Sequence, residues 1–272
     1  MRLAGVVTER RTVLGIDAAW TDRNPSGVAL VECQPNSRRL LAVFGSYSEM
    51  IAVAGSDSDH IEACISIGGQ IPSVVAVDMP LSHDVIRSRR VSDNAVSALW
   101  GSRYCATHTP NELRPGEVGR RLHAALAARG FTLATEAITE RSLIEVYPHP
   151  AIVELTGARQ RLPYKVGKAR KYWPEATLSE RRCRLAETWQ HIIRYLDDQV
   201  AGVQELLPLP MPEATTFGLK SFEDKLDAVV CAWVGCLALE GKATPYGDSR
   251  SAIWLPTPPS LGQRHVQSLF TD

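Results

Sequence analysis

The sequence predicts an α/β protein, a mixed sheet with helices on both faces. Three observations carry this. Short apolar runs, VLGID at 13–17, VVAVD at 74–78 and LIEVY at 143–147, read as buried strands. Turn signals at Asn24-Pro25-Ser26-Gly27 and Pro35-Asn36-Ser37 join the early strands into an antiparallel meander. Two long helical stretches, 179–200 and 221–239, fill the second half.

In chain order, residues 1–11 read as a loose tail, and 13–17 as the first strand. GVALVE at 27–32 and the run at 40–44 follow as strands two and three. Residues 59–67 read as a helix closed by Gly68-Gly69, and 74–78 as a fourth strand broken by Met79-Pro80. Stretches 87–100 and 117–129 read as helices around a polar loop, with Gly130 as a C-terminal stop. Strand five at 143–147 ends at Pro148-His149-Pro150, and a short helix begins at 151–156. Helix 179–200 carries Leu185, Trp189, Ile192, Ile193 and Leu196 on one face. After helix 221–239, residues 251–255 read as a last strand, and the chain beyond Pro256 as peripheral.

The 272 residues carry 30 Lys+Arg against 30 Asp+Glu, with 44% hydrophobic and 22% charged residues. That balance excludes a protein that coats nucleic acid by bulk charge, an acidic solvating tail and wholesale disorder. Glu9, Arg10 and Arg11 interrupt any N-terminal signal peptide. The longest apolar run, 228–239, makes about 18 Å of helix against a bilayer core of about 30 Å, so it reads as buried and no membrane is expected. Cysteines 33, 64, 105, 183, 231 and 236 are scattered, which predicts reduced thiols and a cytoplasmic location. Cys105 and His108 lack a second pair at zinc spacing.

Asp17, Asp78 and Glu145 stand at or near strand ends, where ligands collect in open α/β sheets. A turn or cap role is the alternative for any one of them. Asp224 and Asp227, three apart, share a helix face just ahead of the apolar run. Ser221 with Asp224 resembles a capping box, which accounts for Asp224 better than for Asp227. Converging carboxylates repel one another unless a cation is present, and oxygen ligands suit Mg²⁺ or Mn²⁺. Two such ions about 3.5–4 Å apart clamp an in-line displacement at phosphorus.

GIDAAW (15–20), VAVDMPL (75–81), IEVYPHP (144–150), LDAVVCAW (226–233) and IWLP (253–256) together resemble the domain-of-unknown-function 429 family, described as predicted RNase H-like nucleases. The resemblance runs in order from about residue 13 to 256. It implies an RNase H-like mixed five-stranded sheet, order 3-2-1-4-5 with strand 2 antiparallel and helices on both faces. One domain would span 12–256, with 83–142 as a helical insertion between strands 4 and 5 and with 1–11 and 257–272 as peripheral tails. Asp17 matches the first-strand acid, a bridging metal ligand, and Asp78 the fourth-strand acid. Asp227 with Asp224 matches the last-helix pair of Holliday-junction resolvase-like members. Glu145 falls in the EVYP motif as a ligand, a base or a residue holding the insertion. The implied catalytic set is Asp17, Asp78, Glu145 and Asp227, and the implied metal set Asp17, Asp78, Asp224 and Asp227. The implied activity is Mg²⁺- or Mn²⁺-dependent hydrolysis of phosphodiesters, leaving a 5′-phosphate and a 3′-hydroxyl. Two alternatives stand beside it: a nucleotide-binding phosphotransferase of the actin and sugar-kinase type, for which GID at 15–17 fits the first phosphate motif, and a non-catalytic RNase H-like binding module.

Neutrality is the sum of opposite patches. Segment 159–184 holds nine Lys/Arg against two Glu, with Tyr164, Tyr172 and Trp173 interleaved, while 187–227 holds eight acids against three bases. A basic stretch with aromatics can track phosphates and stack on unpaired bases, which makes Lys165, Lys168, Arg170, Lys171 and Tyr172 candidate substrate contacts. A solvated face is the alternative. Arg87, Arg89 and Arg90 follow Asp78, and Arg87 and Arg90 are candidates to position phosphates or to pair with acids such as Asp84 and Asp93. The expected partner is nucleic acid, DNA or RNA.

Overall fold

A computed structural model describes residues 10–258 except 22–23, 36, 56–58 and 212. The tail expected at 257–272 lies largely outside the described residues, as does Asn36 of the second turn signal. Strand β1 (Arg11–Asp17) is central. It pairs antiparallel with β2 (Gly27–Gln34), which turns back into β3 (Ser37–Phe44), and parallel with β4 (Val74–Val77). On the far side, β4 pairs parallel with β6 (Ser142–Val146). Beyond it lie β8 (Ala252–Pro256), parallel to β6, and β7 (Ala243–Gly247), antiparallel at the edge. The short β5 (Thr132–Leu133) also pairs with β6.

The mixed sheet is as expected, but among the described residues it has eight strands rather than the five the resemblance implies, ordered β3-β2-β1-β4-β6-β8-β7 with β5 beside β6. The five strands implied by the resemblance occupy β3-β2-β1-β4-β6, and the last strand expected at 251–255 is β8. Strand β5 is too short to show periodicity. Strand β7 holds Pro245 and Gly247, which read as breakers but are tolerated on an edge.

The two-residue period of β1 sends its side chains to opposite cores. Leu14 and Ile16 pack with Met50, Ile61, Val75 and Leu126, under helices α1 (Tyr47–Ala54), α2 (His60–Gly68) and α4 (Gly116–Ala128). Val13 packs with Ala76, Ile152, Trp189 and Val230, under α5 (Pro148–Thr156), α7 (Leu178–Gln199) and α9 (Thr216–Leu239). Helices α3 (Val91–Trp100), α6 (Ala169–Tyr172) and α8 (Val203–Leu206) are the other α-helices among the described residues.

Several boundaries differ from expectation for local reasons. Helix α1 was not anticipated; Ser46 caps it by accepting from the Glu49 amide at 3.1 Å. Helix α3 starts at Val91 rather than 87, because Arg90 is extended (φ −89°, ψ 168°). Helix α9 starts at Thr216 rather than 221, capped by Thr215 Oγ1 accepting from the Gly218 amide at 3.1 Å. Ser221 is therefore inside the helix, and its capping-box role is corrected. The expectation of six reduced thiols is also corrected. Cys33 on β2 and Cys236 on α9, 203 residues apart in sequence, form a disulfide, while Cys64, Cys105, Cys183 and Cys231 are free.

Helix α9 lies on the sheet at backbone contact. A Cβ on Gly15 would stand 2.1 Å from the Ala228 carbonyl oxygen, and one on Gly27 2.1 Å from that of Asp224. Its apolar half is buried, and among the described residues no helix is long and apolar enough to cross a membrane.

Gly15→Ala is predicted to force α9 off β1 and to destabilise by about 1–3 kcal/mol or more in urea denaturation. Gly167→Ala, where a Cβ meets nothing within 4 Å, should change stability by less than about 0.5 kcal/mol. Equal effects would contradict the close approach.

Candidate metal centre

Strand β1 ends at Asp17. Asp78 follows β4, and its amide donates to the Ile16 carbonyl at 2.8 Å, so the two acids sit side by side at the carboxyl ends of neighbouring parallel strands. Helix α9 brings Asp227 over them. One oxygen from each of Asp17, Asp78 and Asp227 lies within 4.8 Å of the others. Asp227 is fully buried, and Asp17 and Asp78 are half-buried.

This packing penalises charge. Burial, then the Asp227 carboxylate, pushes the Asp78 carboxyl up to about 7, against the pull of Lys165. Burial and Asp227 also hold Asp17 well above the ordinary carboxylate range. Burial raises Asp227 itself, opposed first by Lys165.

Lys165 is the counter-charge. Its Nζ pairs with Asp227 Oδ2 and lies 3.3 Å from Glu223 Oε1. Burial works against its ammonium, but Asp227, Tyr164, Glu223 and Asp17 overcome that and hold it protonated. Tyr164 donates its hydroxyl to Asp227 Oδ1 at 2.9 Å, and its carbonyl accepts from Trp189 Nε1 at 2.8 Å. The Val166 amide donates to Glu223 Oε2 at 2.5 Å. Residues 164–166 are thus strapped to α9.

Of the residues expected from sequence, Asp17, Asp78 and Asp227 converge. Asp224 lies outside that group and pairs with Lys220, whose Nζ also lies 3.1 Å from Glu223 Oε1. Glu145 is committed elsewhere: it accepts from the Leu81 amide at 2.7 Å and from Arg90 Nη1 and Nη2 at 2.5 and 2.7 Å. Arg90 also binds Asp93 at 2.8 Å and the Leu81 carbonyl at 2.6 Å. Glu145 is thus bonded to the segment after β4, and Arg90 faces acids. Arg87 is exposed and 3.2 Å from Glu112. Lys168, Arg170 and Lys171 are exposed and lead outward from Lys165, while Tyr172 is half-buried, edge-on to Trp173 at 5.6 Å.

Sequence reasoning missed Glu223 and the inward roles of Tyr164 and Lys165. A signal for Glu223 existed: it stands four residues before Asp227, on the same helix face. Lys165 and Tyr164 are more than sixty residues from Asp227, so no spacing reports their contact.

Three convergent carboxylates are hard oxygen donors that fit Mg²⁺ or Mn²⁺, and their mutual repulsion is what a divalent ion would relieve.

The family model described as "Protein of unknown function (DUF429)" matches residues 15–251, and the chain belongs to that family. No curated protein and no solved structure matches it significantly.

Three substitutions separate the roles of these acids. Arg90→Met leaves Glu145 and Asp93 buried without their partner and should cost about 3–5 kcal/mol in urea denaturation. Glu145→Gln should leave Mn²⁺ binding intact; loss of that binding would make Glu145 a ligand. Asp17→Asn removes a charge the fold disfavours, so metal-free Tm should rise, by about 2–4 °C per kcal/mol relieved. The same variant should lose the Mn²⁺-induced Tm shift of the wild type. A lower metal-free Tm with the Mn²⁺ shift retained would contradict the centre.

Proposed function

We propose that this member of the DUF429 family is a divalent-metal-dependent phosphodiesterase acting on nucleic acid, built on an RNase H-like core. The observation that carries the reading is the convergence of Asp17, Asp78 and Asp227 within 4.8 Å at the sheet's carboxyl edge. The arrangement β3-β2-β1-β4-β6, with β2 antiparallel to β1, supports the RNase H-like assignment.

Asp17, Asp78 and Asp227 would hold Mg²⁺ or Mn²⁺, with Tyr164 fixing the Asp227 carboxylate through its hydroxyl. The ion, when bound, supplies Lewis acidity that activates water and stabilises the leaving oxygen. Lys165, released from Asp227, neutralises charge on the substrate phosphate. Lys168, Arg170 and Lys171 extend that positive strip outward along the strand. Arg90 and Glu145 fix the segment after β4, and so the position of Asp78. The products would be a 5′-phosphate and a 3′-hydroxyl. A second reading, a non-catalytic binding module, is favoured by one observation: Lys165 already neutralises Asp227.

Labelled single-stranded, duplex and junction DNA and RNA, incubated with the protein and Mg²⁺ or Mn²⁺, decide between them. The account predicts metal-dependent cleavage by the wild type and only background cleavage by Asp78→Asn and Asp227→Asn. No cleavage of any substrate with either metal, or a variant as active as the wild type, would overturn it.

A further inference from the structure

Two adjoining cavities open beside Asp17. One, of about 310 Å³, is lined by Asp17, Trp20, Asn24, Pro25, Phe217 and Lys220. The other, of about 660 Å³, shares Ala18, Ala19, Asn24, Pro25, Phe217 and Ser221 with the first, so the two form one cleft. It starts at a carboxylate of the candidate metal centre, and both cavities are within the range of small-molecule sites, about 300–1,000 Å³.

The lining is not that of a phosphate track. Among the described residues lining the cleft, Lys220 is the one Lys or Arg, and it is already paired with Asp224 and Glu223. The lining is instead aromatic, apolar and small-polar, with the carboxylates of Asp17, Asp224 and Glu49 also along it. Trp20 lines the smaller cavity together with Asp17, and Met79 and Leu122 line the larger one. Phe217, in the first turn of α9, lines both cavities while remaining 71% exposed, so its ring stands at the mouth. Asn24, Ser26 and Ser48 add hydrogen-bonding groups suited to the edge of a heterocycle.

We infer that this cleft takes a nucleobase of the substrate, stacked against Trp20 and Phe217, with its adjacent phosphate directed to Asp17. The inference rests on the phosphodiesterase reading and narrows it. A base inside a duplex is already stacked and cannot enter, so the substrate is single-stranded or locally unpaired nucleic acid. Stacking on a π-face is sequence-tolerant and needs little positive charge, in keeping with a chain of balanced charge.

The test is equilibrium binding of a short labelled oligothymidylate to the full chain in EDTA, beside a duplex of equal length. The single strand should bind more tightly than the duplex. Trp20→Ala and Phe217→Ala should each weaken it about 5- to 150-fold, the range for losing one base–aromatic stack. Their Mn²⁺ affinity by calorimetry should equal that of the wild type. If Trp20→Ala does not fold, Phe217→Ala, an exposed position, decides. Unchanged affinity in the variants, equal binding of duplex, or no binding of the single strand would overturn the inference. Cleavage by a wild type whose cleft variants bind normally would remove the cleft and keep the phosphodiesterase. Trp20-dependent binding without cleavage under any metal would do the reverse.

Discussion

The backbone of α9 rests directly on β1 and β2, and the candidate centre depends on that contact. Gly15 and Gly27 leave no Cβ between strand and helix, so Ala228 and Asp224 carbonyls occupy the space a side chain would take. At ordinary helix-on-sheet spacing, Asp227 would stand too far from Asp17 and Asp78 to share an ion with them. The apolar half of the helix, buried from Ala228 onward, holds the contact, and the acids are carried on its N-terminal side. Hydrophobic burial thus drives together groups that electrostatics would separate.

That opposition is resolved by counter-charge. Burying a carboxylate is expensive unless it is paired, and three near one another compound the cost. Two basic residues answer it locally: Lys165 for Asp227 and Glu223, and Lys220 for Asp224 and Glu223. A separate buried network, Arg90 with Glu145 and Asp93, is complete in itself. The contrast separates an acid satisfied within the fold from the acids proposed to hold the metal. Burial raises all three carboxyls, but Glu145 has its donors in a fixed bidentate geometry, whereas Asp17 and Asp78 are half-buried and Asp17 lines a cleft. Residues that keep such strain in a folded protein are where function is expected.

The parts of this centre that were legible in sequence are those with local signatures. Asp17 and Asp78 each close an apolar run, and Asp227 abuts one, so a carboxylate at a buried element's end is visible without a fold. The mixed α/β class followed from the same runs. What depends on distant contacts was not visible. Glu145 and Arg90 both resembled site residues, and only their contact across 55 positions shows that they satisfy each other. Lys165 read as part of a solvent-facing basic strip, yet it turns inward while Lys168, Arg170 and Lys171 face solvent. The Cys33–Cys236 disulfide is non-local in the same way. Helix α9 began earlier than expected because Thr215, not Ser221, supplies its cap.

The central claim is that Asp17, Asp78 and Asp227 form one divalent-cation site that Lys165 counterbalances. A crystal structure determined with saturating Mn²⁺, with anomalous diffraction recorded, tests it most directly. The account predicts an anomalous peak ligated by oxygens of all three aspartates, with Lys165 Nζ moved off Asp227. Lys165 still paired to Asp227, and no peak between the three carboxylates, would contradict it.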